Sequence, residues 1–199
     1  MADSPYLNLS EDQWLKKTQE LIQRHPLTKG ELVDVVLRAW NDIFDSRFGP
    51  KGFQIGKHII PKPQIMGFLL HELIPLEFAT RYPQKWCGER SATDKDLVCV
   101  KDEGFSVEIK TSSNKSQIFG NRSYAQEDQG KGKKNKSGYY LTVNFEKFTR
   151  TNSNPKIIQI RFGWIDHSDW KGQEAATGQQ AHLTTAADTY KLLTIYTAK

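Results

Sequence analysis

Apolar residues recur at helical spacing through the first part of the chain. Two of these stretches follow a capping box, at Ser10 and at Thr28, in which a hydroxyl residue and an amide or acid three positions later satisfy the free backbone groups of a helix start. The i, i+3, i+4 pattern predicts helices over residues 10–24, 28–47 and 63–78. The first two would form an N-terminal helical region.

Short apolar runs, typical of strands, follow in the second half of the chain. Leu97 to Val100 and Phe105 to Ile109 flank a turn-like segment at 101–104, and this arrangement predicts a β-hairpin. Helices followed by strands indicate an α/β or α+β fold, in which helices flank a central mixed β-sheet. The remaining apolar runs predict strands over residues 139–145, 157–162 and 192–196.

The hairpin carries residues that suit phosphodiester chemistry. Because side chains alternate along a strand, Glu108 and Lys110 should face the same way while Ile109 points into the core. Asp96 opens the first strand and can converge on them, and it is better placed to do so than Asp94. Two carboxylates beside an ammonium form an oxygen-rich site for Mg²⁺, which activates water and neutralises phosphate charge. The alternative is a surface hairpin with an ion pair.

The spacing of Asp96 and Glu108-Ile109-Lys110 resembles the PD-(D/E)xK nuclease signature, although Lys95 replaces the usual proline. The resemblance implies a restriction-endonuclease-like fold and Mg²⁺ as the cofactor. It implies metal ligation by Asp96, Glu108 and Ile109, with Lys110 as a catalytic residue. Members of this superfamily often carry a further catalytic glutamate, and the candidates here are Glu72, on the third predicted helix, and Glu89, just before the hairpin.

Charge is distributed unevenly along the chain. The net charge is +5, but residues 111–161 hold ten Lys or Arg and only three acids. Such a basic segment attracts a polyanion and speeds its arrival. A solvated lysine-rich loop is the simpler interpretation for residues 131–136 alone, but their position after Lys110 favours binding of nucleic acid.

The loop after the hairpin, residues 111–138, combines Ser, Asn, Gln, Arg and Lys. Asn and Gln can pair with adenine, Arg with guanine, and hydroxyl and ammonium groups with phosphate. A glycine-bearing turn with polar decoration is the alternative. Residues 108–113 and 120–126 are similar to type II restriction endonucleases of the ScaI group. The expected DNA-binding residues are Ser112, Ser113, Asn114, Lys115, Asn121, Arg122, Ser123, Tyr124, Gln126, Lys131, Lys133 and Lys134.

These observations predict a type II restriction endonuclease that hydrolyses specific sites in double-stranded DNA. It would be a single nuclease domain, residues 1–199, with an N-terminal helical part (1–62) and a catalytic core (63–199). A homodimer would match a palindromic site, and the first two helices are the expected dimer-building elements. A cognate DNA methyltransferase would protect the same site. The alternatives are a repair or recombination nuclease resembling a junction resolvase, a non-catalytic DNA-binding protein, and a Mg²⁺ enzyme acting on another substrate.

Several features of the sequence argue against other classes of protein. No apolar run is long enough to span a membrane, and the chain start lacks the features of a signal peptide. Cys87 and Cys99 form no disulfide framework or zinc pattern, so a cytoplasmic protein is expected. Asp166, His167 and Asp169 suggest a metal site, but a capped turn after a strand is the simpler interpretation.

Overall fold

A computed structural model of the protein describes residues 4–125, 134–149, 151–174 and 178–198. Its helices are α1 (Glu11–Arg24), α2 (Lys29–Asp45), α3 (Pro63–Arg81) and α4 (Thr185–Tyr190). Its strands are β1 (Trp86–Gly88), β2 (Leu97–Cys99), β3 (Val107–Ser112), β4 (Phe119–Asn121), β5 (Gly138–Phe145), β6 (Ile157–Ile165), β7 (Trp170–Gly172), β8 (Gln180–Leu183) and β9 (Leu192–Thr197).

The predicted mixed sheet is confirmed. Within the described residues it has six strands in the order β1-β2-β3-β5-β6-β9. Strands β3 and β5 are parallel, and the other neighbouring pairs are antiparallel. The hairpin is present as the pair β2 and β3, with Leu97 opposite Val107 and a 3-10 turn at Glu103–Phe105 in the connection. This sheet and its helices form an α+β fold of the restriction-endonuclease-like kind.

The predicted helices cover one face of this sheet. The apolar stripe of α2 is buried in the main core with residues of α3 and with Val107, Ile109 and Leu141 of the sheet. Trp40 is 5% exposed, and its indole N–H donates to the carbonyl of Pro155, 3.1 Å away. The stripe of α2 is therefore used inside its own chain. A core role within one subunit thus accounts for this stripe, and the expectation that α2 builds a dimer stays a prediction.

The opposite face of the sheet supports a second core. Tyr140, on β5, belongs to this core, whereas its neighbours on the strand belong to the main core. A three-stranded sheet, β4-β8-β7, packs there with Trp170, Ala181 and Leu183 buried. Glu108 is in register with Tyr140, so the hairpin side chains of interest lie on the face that the small sheet partly covers.

The small sheet was not predicted. The sequence shows only polar and small residues over most of 171–187, where the structure has β8 and α4. Each of its strands is three or four residues long, and one face of each is polar. Strands this short give almost no alternation to detect.

The acidic turn after β6 is a buried ion cluster. Asp166 caps a 3-10 turn at His167–Asp169. The ammonium of Lys191 lies 2.8 Å from Asp166 and 2.9 Å from Asp169, and it is only 2% exposed. The carboxylates are therefore neutralised by a lysine of the same chain, and the capped-turn interpretation is the one that the structure supports. Among the helices of the described residues, none is long and apolar enough to cross a membrane.

Candidate active site

Asp96, Glu108 and Lys110 come together at the start of the hairpin. The ammonium of Lys110 donates to Glu108 Oε1 over 2.6 Å, as their common strand face predicts. The peptide N–H of Ile109 donates to Asp96 Oδ2, also over 2.6 Å, while the Ile109 side chain is fully buried in the main core. Glu108 is 1% exposed, and charged residues are rarely buried to this extent unless they are paired.

Local turn chemistry explains why Asp96 and not Asp94 reaches the site. Asp94 Oδ2 accepts hydrogen bonds from the backbone of Arg90 and Ser91 and from the Arg90 guanidinium, which holds it within the preceding loop. Asp102 accepts from the N–H of Gly104 and starts the 3-10 turn of the connection. These side-chain caps fix both ends of β2.

Lys134 places a cation between the two carboxylates. Its ammonium lies 3.1 Å from Asp96 Oδ1 and 2.9 Å from Glu108 Oε2. Lys134 was expected to bind DNA phosphate, whereas here it bridges the residues expected to bind metal. A positive group therefore fits between these oxygens, and hard oxygen donors are the ligands that Mg²⁺ prefers. No cluster of three or more His, Cys, Asp or Glu suited to a metal occurs among the residues that the structure describes.

Lysines dominate the electrostatics around Glu108. Burial alone would raise the pKa of Glu108, but Lys110, Lys95 and Lys134 outweigh it and hold that pKa well below its usual range. Burial lowers the pKa of Lys95 to about 8, although Glu108 opposes this change. The Lys95 ammonium makes no hydrogen bond to a described residue and lies 5.1 Å from the centre of the Tyr140 ring. The surrounding lysines therefore favour the anionic form of Glu108.

Tyr124 also contacts Glu108. Its hydroxyl donates to Glu108 Oε1 over 2.5 Å, and the Lys110 ammonium lies 4.6 Å from the centre of its ring. Burial, followed by the charge of Glu108, raises the pKa of Tyr124, so the hydroxyl remains a donor. Tyr124 was expected to bind DNA, and in this structure its hydroxyl contacts Glu108.

His71, on α3, is a neighbour of Asp96 that the sequence analysis missed. Its Nδ1 lies 3.6 Å from Asp96 Oδ2, and burial lowers the pKa of the imidazole although Asp96 opposes this. Gly67, one helical turn earlier, is so close to Thr111 of β3 that a Cβ there would lie 2.6 Å from its hydroxyl. Gly67 and His71 are four residues apart and so lie on one face of α3, but only the packing of α3 on β3 shows that this face meets the hairpin.

A cleft of about 1160 Å³ borders this cluster at Asp96 and His71, between α3, the hairpin and the small sheet. Both candidate glutamates, Glu72 and Glu89, line it together with Asp96, although neither side chain has a hydrogen bond or ion pair among the described residues. Of the expected DNA-binding residues, Ser112, Ser113 and Asn121 also line it. The cleft thus joins the acidic cluster to part of the predicted DNA-binding loop.

Other expected DNA-binding residues have structural contacts or are simply exposed. The Ser112 hydroxyl accepts from the N–H of Asn114, whose side chain in turn caps Ser116 and Gln117. Arg122 donates to the carbonyl of Gly178. Lys115 and Ser123 are exposed. Gln126, Lys131 and Lys133 lie outside the described residues.

Comparison with known proteins gives a consistent result. The family described as ScaI restriction endonuclease matches residues 4–196. A curated relative, the type II restriction enzyme ScaI of Streptomyces caespitosus, is 49% identical over 197 residues, which cover 98% of this chain and 86% of that protein. The match therefore includes the hairpin, the basic segment and the small sheet together.

Proposed function

The chain belongs to the ScaI restriction endonuclease family, and from that premise we propose that Asp96, Glu108 and Lys110 are its catalytic residues. The chain is a type II restriction endonuclease, an enzyme that cleaves DNA at specific sequences. The observation that carries the site assignment is the pair of carboxylates, 15% and 2% exposed at the side chain, with a cation held between them beside Lys110. The alternatives of a junction resolvase or a binding protein have no comparable support.

Mg²⁺ is the proposed cofactor, with Asp96 and Glu108 as side-chain ligands. When bound, the ion would lower the pKa of an attacking water and neutralise charge on the scissile phosphate. Ile109 can offer only a main-chain oxygen. Its N–H points at Asp96, and because the N–H and C=O of one residue point to the same side of a strand, its carbonyl faces the Asp96 side as well. This supports Ile109 as a third ligand.

Lys110 is the proposed positioning group for the nucleophile. Its ammonium is anchored on Glu108 and is 13% exposed at the side chain, so it can present a positive charge to the cleft without leaving its partner. In that position it orients water and stabilises negative charge that develops on phosphate. Tyr124 holds the same carboxylate from the other side. Glu72 and Glu89 are proposed as further acidic groups of the cleft.

Lys134 has two successive roles in this proposal. Without metal, its ammonium neutralises Asp96 and Glu108. A divalent cation would repel it from that position and release it towards the phosphate backbone, as expected for the basic segment. The remaining proposed DNA contacts are Ser112, Ser113, Asn114, Lys115, Asn121, Arg122, Ser123, Gln126, Lys131 and Lys133.

Double-stranded DNA is the substrate, and a homodimer is the proposed assembly because two-fold protein symmetry matches a palindromic site. Light scattering should then give about twice the chain mass of 22.8 kDa, and a mass of one chain on cognate DNA would exclude the dimer. We place the enzyme in the cytoplasm, where the DNA it acts on is found. A cognate methyltransferase would protect host DNA. Cleavage of purified host DNA by this enzyme in vitro would contradict that protection.

Plasmid digestion tests the catalytic assignment. Wild-type protein with Mg²⁺ should give discrete bands, and Glu108→Gln should cut at least about 100-fold more slowly because a metal ligand is lost. Glu103→Gln is the matched control, since Glu103 lies in the same hairpin but is exposed and pairs with Arg90. Cleavage by a folded Glu108→Gln protein within tenfold of wild type would refute the assignment.

A further inference from the structure

The outer face of the small sheet carries Asn121, which lines the cleft, and further polar residues to which the proposed function gives no role. Its strands pair with Asn121 opposite Gln180 and with Phe119 opposite His182, which in turn lies opposite Lys171. Cross-strand partners point to the same side of a sheet, and so do residues two apart. One face of β4-β8-β7 therefore carries an amide row and, beside it, an aromatic and basic row.

Burial separates the two faces of this sheet clearly. Asn121, Gln180, His182 and Lys171 are exposed. The inner face carries Trp170, Ala181 and Leu183, which are buried, together with the glycines of β4 and β7. Polar residues thus occupy only the side that faces away from the core, and four exposed side chains on three short strands form a regular surface.

The amide row borders the catalytic cleft. Asn121 and Gln180 line it together with Phe119 and with Asp96. Neither the Asn121 nor the Gln180 side-chain amide makes a hydrogen bond to any described residue. The Gln180 backbone, by contrast, is paired with β4 and with Gln173. A hydrogen-bonded backbone therefore presents two uncommitted amides to the same cleft that Asp96 lines.

We infer that this outer face reads adenine edges in the major groove of the DNA, with Gln180 and Asn121 as the two reading residues. The inference rests on the proposed function. A side-chain amide matches the N6 donor and N7 acceptor of adenine bidentately, and the major groove is wide enough to admit a β-ribbon. Lys171 and His182 flank the amides and would meet phosphate or neighbouring bases.

The inner face of the same sheet contacts a residue of the catalytic cluster. A Cβ on Gly120 would lie 3.0 Å from the Tyr124 ring and 3.2 Å from Trp170, so β4 packs as closely as a glycine allows. Tyr124 donates to Glu108. One strand thus carries a reading amide on one side and supports the tyrosine that holds a catalytic carboxylate on the other.

Atomic substitution in the DNA tests this inference. The cognate duplex is prepared with each adenine replaced in turn by 7-deazaadenine, which lacks the N7 acceptor. At one position the analogue should reduce kcat/KM of the wild-type enzyme by about 10- to 100-fold. Gln180→Ala should reduce kcat/KM on unmodified DNA by a similar factor. On DNA with the analogue at that position, the kcat/KM of Gln180→Ala should fall no further. Asn121→Ala should show the same behaviour at another adenine.

The controls separate this inference from the proposed function. Gln19→Ala removes an exposed amide from α1, outside the cleft, and should cut like wild type. Because Gln180 is exposed, Gln180→Ala should have the same melting temperature as the wild type. Two results would overturn the inference and leave the nuclease assignment intact. One is an unchanged kcat/KM in Gln180→Ala. The other is that, at every adenine, the loss caused by Gln180→Ala and the loss caused by the analogue are independent, so that the two factors multiply. Absence of any cleavage by the wild type would instead overturn the nuclease assignment.

Discussion

At the scale of single residues, the site is a buried anion surrounded by lysines. Glu108 has Lys110 at 2.6 Å and Lys134 at 2.9 Å, and Lys95 lowers its pKa further. Removing a buried carboxylate from such a cluster would leave uncompensated positive charge, whereas its presence leaves the cluster close to balanced. In the proposed mechanism, a divalent cation takes the place of Lys134 between Asp96 and Glu108.

Tyr124→Phe tests the hydroxyl contact with Glu108. Loss of a hydrogen bond to a charged group costs about 1.5–3 kcal/mol, so cleavage should slow by about 10- to 100-fold while DNA affinity stays unchanged. Single-turnover cleavage and equilibrium binding measure the two effects separately. Tyr82→Phe is the matched control, because Tyr82 also donates to a glutamate, Glu31, away from the cleft. Weaker DNA binding with an unchanged cleavage step would show that Tyr124 contacts DNA instead.

Lys134→Gln tests the exchange of lysine for metal. Without the competing ammonium, DNA-free protein should bind Mg²⁺ or Ca²⁺ about three- to tenfold more tightly, as measured by calorimetry. Lys115→Gln removes a lysine that is exposed and has no carboxylate partner among the described residues, and should change little. Equal or weaker metal affinity in Lys134→Gln would contradict the bridging role.

The residues that could be predicted are those fixed by local geometry. Strand alternation alone places Glu108 and Lys110 together, and the start of the apolar run selects Asp96. The contacts of His71, Tyr124 and Lys134 depend on how distant segments return to the hairpin, and no local period encodes that return. Tyr124 and Lys134 were predicted to contact DNA, which stays a prediction, and the carboxylate contacts that they make here were not foreseen.

At the scale of elements, α1 is joined to the sheet through a buried histidine. His25, its C-cap residue, is 6% exposed and is surrounded by Trp86, Phe105, Tyr139 and Phe162. Its Nε2 lies 3.0 Å from the carbonyl of Phe105. Burial lowers the pKa of His25 below its ordinary value, although its two backbone partners oppose the change.

This burial makes stability depend on pH in a defined direction. The unfolded chain binds a proton at His25 as the pH falls through about 6.5, and the folded chain resists it. The free energy of unfolding should therefore fall below pH 6.5, by up to about 1.4 kcal/mol per pH unit from this group. Denaturant melts at pH 7.5 and 5.5 should show a smaller loss in His25→Gln than in wild type. His58→Gln, which removes an exposed histidine, is the control and should lose as much stability as the wild type. An equal loss of stability in His25→Gln and wild type would contradict the role of His25.

Length determines which elements could be predicted. The stripes of α2 and α3 and the alternation of β5 and β6 extend over eight or more residues, and each was predicted nearly in place. The strands β4, β7 and β8 are too short for that, and their pairing is long-range. Their polar outer residues looked like loop residues, although the register gives them a common face.

At the scale of the whole molecule, the two faces of the central sheet differ in what they carry. One face carries the core that the helices α2 and α3 complete. The other face holds Glu108, Lys110 and the small sheet, whose Asn121 and Gln180 line the cleft together with Asp96. The basic segment 111–161 contributes Lys134 to the two carboxylates. In the proposed function, the positive charge of this segment would attract DNA to the site.

Metal-directed backbone cleavage tests the central claim most directly. Fe²⁺ in place of Mg²⁺, with ascorbate and peroxide, generates hydroxyl radicals that cut the protein chain beside the bound ion, and mass spectrometry locates the cuts. We predict cuts near Asp96 and near residues 108–110, suppressed by excess Mg²⁺ and lost in Glu108→Gln. Cuts centred elsewhere, for example near Asp166 and Asp169, or cuts that persist in Glu108→Gln, would contradict the account.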